Sequence, residues 1–321
     1  MTRSTVGIAR GLLLGTLVGD AIGAPFEGEQ AVTHQRAHDR LERCLSAGSL
    51  PYTDDTQLTL ALAEHLCDDP SVDPAGLVDR ILDHFEDHRG YARGMLGVVA
   101  AWRNGAAPEA AATAVFEQGS FGNGAAMRVA PVGLVWRADP DSLADAARRQ
   151  AGLTHAHPIG TDAAVAQARA VARAVNVGAF TPADLRYLAD QATTDELSQA
   201  LKTAAAAAED YVTAPIPLPQ IARRVGTGVL ADQSVPAALW VAAVAQTFAD
   251  TVVLALGLGG DVDTIAAMAG AVVGSALTDT AIPPAWLARM EDGPRGLTYT
   301  RGLAERLATA GDGRAAGRDP V

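Results

Sequence analysis

Lysine is nearly missing from this chain of 321 residues: Lys202 is the only one, and its remaining strong bases are all arginine. We read that as genome bias. Bases are also outnumbered, 25 Lys and Arg against 37 Asp and Glu, for a formal net charge of −12. Such a surface repels nucleic-acid phosphates and anionic membranes while collecting divalent cations. Nucleic-acid and membrane partners are therefore not expected. Cysteine is scarce as well. Cys44 and Cys67 stand far from any CxxC spacing, which excludes a disulfide scaffold and a thiolate zinc site and makes a reducing cytoplasm the expected compartment. Long apolar runs are absent to the eye. Leu12–Val18 is short, has only Arg3 and Arg10 before it and is closed by Asp20, while Val235–Leu258 is interrupted by Gln246 and Asp250. Neither a HExxH, a GxxxxGK[ST], a GxGxxG nor a Ser/His/Asp set occurs, which argues against zincin, P-loop and dinucleotide-fold chemistry.

What is present is helix. Hydrophobic residues make up 49% and aromatics only 5%, with alanine, the best helix former, abundant. Leu58, Leu62 and Leu66 repeat every four residues, and Ile265, Met268, Ala269, Val272 and Val273 follow the i, i+3, i+4, i+7, i+8 pattern. The same reading predicts helices over 71–87, 108–117, 140–151, 158–176, 181–207, 235–256 and 296–309. Pro108, Pro140, Pro158 and Pro236 each open a helical pattern, and Thr181-Pro182-Ala183-Asp184 is a capping signal. Residues 28–52 read as mostly irregular. One all-α domain over 1–310 with a fraying tail over 311–321 is the simplest account.

Two oxygen-rich clusters each precede an amphipathic helix. One is Tyr52-Thr53-Asp54-Asp55-Thr56, and the other is Gly259-Gly260-Asp261-Val262-Asp263-Thr264. Helix capping accounts for one acid or hydroxyl at each start. A second adjacent acid adds repulsion that a cation would relieve, and all-oxygen donors suit Mg²⁺ or Mn²⁺. Asp54, Asp55, Asp261 and Asp263 bring four negative charges and Glu27 a fifth, nearly balanced by two divalent ions spaced roughly 3.5–4 Å apart.

Gly119-Ser120-Phe121-Gly122-Asn123-Gly124 is either an ordinary tight turn or a nest whose N–H groups face an anion, with Phe121 able to stack on a base or ribose. In Thr154-His155-Ala156-His157-Pro158, His155 is a candidate donor to phosphate or ribose, and His157 reads as a helix cap.

Five segments in this order resemble the ADP-ribosylglycohydrolases, whose founding bacterial member reactivates dinitrogenase reductase. They are Gly15–Glu27, Tyr52–Thr56, Gly119–Arg128, Thr154-His155 and Leu258–Gly270. The resemblance spans roughly residues 5–309 and is greatest to the branch acting on serine-linked ADP-ribose, poly(ADP-ribose) and O-acetyl-ADP-ribose. The stretches Arg89-Gly90-Tyr91 and Ser234–Trp240 carry that branch assignment, together with Gly119–Ala130 and Gly259–Gly270.

The resemblance implies a compact orthogonal helical bundle with a dinuclear Mg²⁺ (or Mn²⁺) cleft. Thr53, Asp54 and Asp55 would bind metal from one side, and Asp261, Asp263 and Thr264 from the other, with Asp55 and Asp261 beside the reaction. Glu27 falls at the position of a mobile catalytic glutamate. Ser120, Phe121, Gly122, Asn123, Gly124 and His155 fall on pyrophosphate and ribose contacts, and Gly94, Gly97, Thr227, Gly228 and Val229 near the cleft and adenine side. Phe121 replaces a typical tyrosine and Thr227 a typical asparagine. The implied activity is hydrolysis of an ADP-ribosyl bond on a modified protein or small molecule, by a monomer. The alternatives are an arginine-specific relative, a non-catalytic ADP-ribose binder, and a phosphohydrolase of ADP-ribose-like nucleotides.

Overall fold

Glycine recurs every four residues early in the chain, at Gly7, Gly11, Gly15, Gly19 and Gly23. On a helix that spacing lines up one nearly flat face. In the computed structural model, which describes residues 3–113 and 115–316, the face belongs to helix Thr5–Gly23 and lies against helix Val262–Leu277. A Cβ on Gly11 would sit 2.0 Å from the Gly274 carbonyl oxygen, one on Gly15 2.2 Å from that of Gly270, and one on Gly19 2.2 Å from that of Ala266. At Gly23 it would sit 2.6 Å from Asp263 Cα. Only hydrogen fits along this seam, so the two backbones touch. The seam runs from the protein's far side to the second acidic cluster.

Among the described residues, fifteen further α-helices and several 3-10 turns surround this pair, and there is no β-strand. The fold is all-α, as expected. Both acidic clusters do open helices, Asp54–Asp68 and Val262–Leu277. Alanine-lined faces let the others pack closely: Ala204, Ala205, Ala207 and Ala208 of helix Asp195–Thr213 are all buried.

Several sequence expectations are corrected. The segment from Thr5 to Phe26 is, by length and composition, apolar enough to cross a membrane, a stretch that reading by uninterrupted runs passed over; 83% of an 18-residue apolar stretch within it is buried inside this protein. The stretch read as irregular contains helix His34–Ser46, which buries Ala37, Arg40, Leu41 and Cys44 at helical spacing. Its stripe is hidden in the sequence because one member is an arginine. Arg40 is kept buried by donating to the Leu256 carbonyl at 2.6 Å and the Glu29 carboxylate at 2.7 Å.

The helix expected over 108–117 reduces to a 3-10 turn, Glu109–Thr113, which buries only Ala111 and Ala112. The pattern over 181–207 is two helices, Pro182–Gln191 and Asp195–Thr213. Buried Asp162 accepts from the backbone N–H groups of Thr193 and Thr194, both at 2.8 Å, and so holds the break. The pattern over 235–256 likewise divides into Ala231–Val244 and Phe248–Leu258 at the Thr247–Asp250 capping box, and Pro236 lies inside the first of these rather than at its start. The last helix, Leu297–Ala316, extends into the segment expected to fray. It does so because Gly311 is buried and Asp312 accepts from Thr5 and Arg137 at 3.0 and 2.8 Å. The rest of that tail lies outside the described residues.

Candidate active site

A lone aspartate in an otherwise apolar helix needs partners to be buried. Asp20 is fully buried on Thr5–Gly23, and its partners are the turn that opens the next acidic cluster. It accepts from Thr53 N at 3.0 Å, Thr53 Oγ1 at 2.8 Å, Thr56 N at 3.0 Å and Thr56 Oγ1 at 2.5 Å. Asp20 thus anchors the start of helix Asp54–Asp68 beside the seam. Sequence reasoning gave Asp20 no role; its isolation within an apolar stretch was the available signal.

Thr53 caps this helix, accepting from Asp55 N at 3.3 Å. Asp55 is buried, with one carboxylate oxygen accepting from Thr264 Oγ1 at 3.2 Å across the site and its other oxygen, Oδ1, buried without a hydrogen-bond partner. Thr264 therefore joins the two clusters directly.

The second cluster is positioned by a double glycine. Gly259 and Gly260 have φ of 68° and 77°, and a Cβ on Gly260 would lie 2.0 Å from the Thr227 carbonyl oxygen. Gly260 donates to the Glu29 carbonyl and accepts from Gly28 N, both at 2.8 Å. These two bonds hold the Glu27 segment against the turn. Carboxylate oxygens of Glu27, Asp261 and Asp263 consequently lie within 4.8 Å of one another, with Glu27 exposed and both aspartates buried. Asp261 Oδ2 also accepts from Asn123 Nδ2 at 2.5 Å, and Asn123 donates to Ser234 Oγ at 3.0 Å.

The electrostatics follow from putting so many acids in one place. Burial, then the neighbouring Asp20, pushes the Asp54 carboxyl up to about 7. Burial, then Asp261, pushes Asp263 up to about 9. Asp55 and Asp261 are raised first by burial, Asp55 next by Asp263, and Glu27 by burial followed by Asp261. Protein groups alone therefore resist full ionisation. A donor set made only of carboxylates and hydroxyls, with an unpartnered buried oxygen on Asp55, fits hard divalent cations.

Glu27, Thr53, Asp54, Asp55, Asp261, Asp263 and Thr264 all line one cavity of about 400 Å³. Its other wall carries Ser120, Phe121, Gly122, Asn123, Gly124, His155 and Val229, with Gly94 beside them. The glycine loop is clipped in place by Asn123 N donating to the Val229 carbonyl at 3.1 Å and Ala231 N to that of Phe121 at 3.0 Å. The mouth is apolar: Val115, Phe116, Phe121 and Val229 are exposed there. Val115 and Phe116 were expected in a helix and not at a cleft.

Gly97, Thr227 and Gly228 are not among the residues lining this cavity. Gly97 sits under Val115, where a Cβ would meet Val115 Cγ2 at 2.2 Å, so it makes room for the rim. The Thr227 carbonyl accepts from Asp261 N at 2.8 Å and so positions an acid from behind. A Cβ on Gly228 would meet Gln233 Oε1 at 2.4 Å. His157 does cap its helix, accepting from Ile159 N at 3.2 Å, and packs on Phe121 with ring centres 5.0 Å apart.

Residues 2–317 match the sequence model of the ADP-ribosylglycohydrolase family. The chain is 29% identical to ADP-ribosylhydrolase ARH3 of Xenopus tropicalis over 89% of this chain and 91% of that one. It is 30% identical to the Bos taurus protein of the same name, over 86% and 87% of the two chains. Among solved structures, a chain described as an ADP-ribosylglycohydrolase-related protein complex superposes with a TM-score of 0.65 at 26% identity, covering 97% of this chain and 100% of that one.

Proposed function

Because the chain belongs to the ADP-ribosylglycohydrolase family, and is on that ground a hydrolase of ADP-ribosyl linkages, we propose that it is a Mg²⁺-dependent enzyme, with Mn²⁺ as a substitute, that releases ADP-ribose from serine side chains. Poly(ADP-ribose) and O-acetyl-ADP-ribose are further substrates of the same chemistry. The observation that carries this reading is the single cavity with Glu27 and the oxygen clusters on one wall and the glycine loop and aromatic rim on the other. The serine linkage rests on the resemblance of Gly119–Ala130 and Gly259–Gly270 to the serine branch.

Thr53, Asp54 and Asp55 would hold the cations from one side, and Asp261, Asp263 and Thr264 from the other. When bound, a divalent pair supplies charge stabilisation and orientation at the ribose hydroxyls and the attacking water. The chain's own residues do the rest. Gly119–Gly124 and His155 take the diphosphate and ribose, and Phe121 with Phe116 flanks the base. This fixes the scissile carbon beside Glu27. The bond from ribose C1 to the serine oxygen breaks with its electron pair going to that oxygen, which receives a proton. Water forms the new C1–O bond and gives up a proton to a carboxylate. Glu27 suits both transfers: it is the acid of its cluster most open to solvent, and partial desolvation followed by the charge of Asp261 raises its proton affinity.

The test is release of free ADP-ribose from a serine-ADP-ribosylated peptide, with Mg²⁺ and with EDTA, beside an arginine-linked peptide. Magnesium-dependent release from the serine peptide alone is expected. Release from the arginine peptide alone would keep the chemistry and overturn the linkage, AMP as product would make it a phosphohydrolase, and binding without release would make it a binding protein.

A further inference from the structure

Arg128 is almost completely buried, yet its hydrogen-bond partners are all neutral. Its Nε donates to Gln150 Oε1 at 2.7 Å, one Nη2 proton goes to the Gln150 carbonyl at 2.7 Å, and Nη1 reaches the Gly124 carbonyl at 3.3 Å. The remaining bond runs from Nη2 to Thr154 Oγ1 at 2.9 Å. Thr154 Oγ1 in turn lies 2.7 Å from His155 Nδ1. A guanidinium only donates, so Thr154 accepts from Arg128, and among the described hydrogen bonds His155 Nδ1 is the one acceptor within reach of its hydroxyl proton. The reverse arrangement, with Nδ1–H donating to the second lone pair of Thr154, would leave that buried hydroxyl proton unpaired, so Nδ1 carries the lone pair and the ring proton sits on Nε2.

That second nitrogen is aimed at the glycine loop. A Cβ on Gly124 would lie 3.0 Å from His155 Nε2, and one on Gly122 3.6 Å from it. Any larger residue at Gly124 would cover the donor.

We infer that Arg128, acting through the Thr154 hydroxyl, is a positioning residue that locks His155 in the Nε2–H tautomer, so that a neutral imidazole offers a donor, never an acceptor, to the anionic part of the ligand in this cleft. The inference rests on the proposed ADP-ribose site and adds how its histidine is oriented. An acceptor nitrogen facing a phosphate or ribose oxygen would repel it; the relay removes that alternative at no conformational cost. Burial, then Arg128, holds the His155 imidazole down to about 3, which keeps the ring neutral and agrees with the relay.

The test uses the full chain with Mg²⁺, ¹⁵N-histidine spectra assigned with His155→Gln, and calorimetric titration with ADP-ribose. Wild type and Thr154→Ser are expected to show His155 protonated on Nε2 alone. Thr154→Val is expected to show a mixture of tautomers and to bind ADP-ribose more weakly by the reciprocal of the Nε2–H fraction, about twofold for an even mixture. Arg128→Gln should match Thr154→Val; if it does not fold, Thr154→Val carries the test alone. A pure Nε2–H signal in Thr154→Val, or loss of it in Thr154→Ser, overturns the relay. Wild type failing to bind ADP-ribose would overturn the ligand and the proposed function, while the spectra still decide the relay.

Discussion

Asp20 accepts both the backbone N–H and the hydroxyl of Thr53, at 3.0 and 2.8 Å, and so ties the start of one acidic cluster to the helix whose glycine seam carries the other.

Asp20→Ala removes the acceptor of the Thr53 and Thr56 N–H groups and of the buried Thr56 hydroxyl, leaving the Thr53 hydroxyl only its longer bond to Asp55 at 3.3 Å. We expect a stability loss of about 2–4 kcal/mol, together with weaker Mg²⁺ binding. Urea denaturation and calorimetry measure both. Unchanged metal affinity would show that the turn holds its shape alone.

Removing divalent metal should make stability pH-dependent in a particular direction. The folded-state values of Asp54 and Asp263, about 7 and about 9, lie above the ordinary 3.8. The folded chain therefore holds more protons than the unfolded one between those limits. The stability these groups contribute is complete below about pH 4 and is lost as pH rises towards about 9. On the proposed function Mg²⁺ would take the place of these protons, so the gain in melting temperature on adding Mg²⁺ is expected to widen from about pH 5 to about pH 8. A gain that is flat or shrinks with pH contradicts it.

Gly15→Ala would push a methyl group into the Gly270 carbonyl. The seam has no slack, so a loss of about 1–3 kcal/mol is expected, with reduced Mg²⁺ affinity because Asp20 and Asp263 are carried by the two helices that must separate. Chemical denaturation and metal titration report each effect.

Glu27→Gln keeps the shape of the side chain and removes its proton chemistry. Single-turnover cleavage should fall by about 10²–10⁴-fold, with ADP-ribose binding nearly unchanged. Near-normal turnover would eliminate Glu27 from the chemical step.

Phe116→Ala and Phe121→Ala should each weaken ADP-ribose binding by about 1–3 kcal/mol if a base or ribose packs on the exposed rim. The same titration with ribose 5-phosphate should show a smaller effect at whichever ring faces the adenine.

Much of the site was legible because its chemistry is carried by consecutive residues. Thr53-Asp54-Asp55 and Asp261-Val262-Asp263-Thr264 announce two oxygen-rich helix starts without any knowledge of the fold. Helix His34–Ser46 was not legible, because its buried stripe includes Arg40, whose burial depends on Leu256 and Glu29. The cleft rim at Val115 and Phe116 was missed for a similar reason: an alanine-rich stretch reads as helix until its neighbours decide otherwise.

By itself the sequence determined the all-helical class, the starts of several helices, and the family motifs, since each depends on residues a few positions apart. Tertiary structure alone decided that Asp55 meets Thr264 and that Glu27 meets Asp261 and Asp263. It also decided that Gly97 and Thr227 serve the cleft from behind, and which nitrogen of His155 faces the glycine loop. These contacts join residues that are not neighbours in the chain, and for Glu27, Asp261 and Asp263 the approach of two helix backbones to glycine distance brings together the ends that carry them.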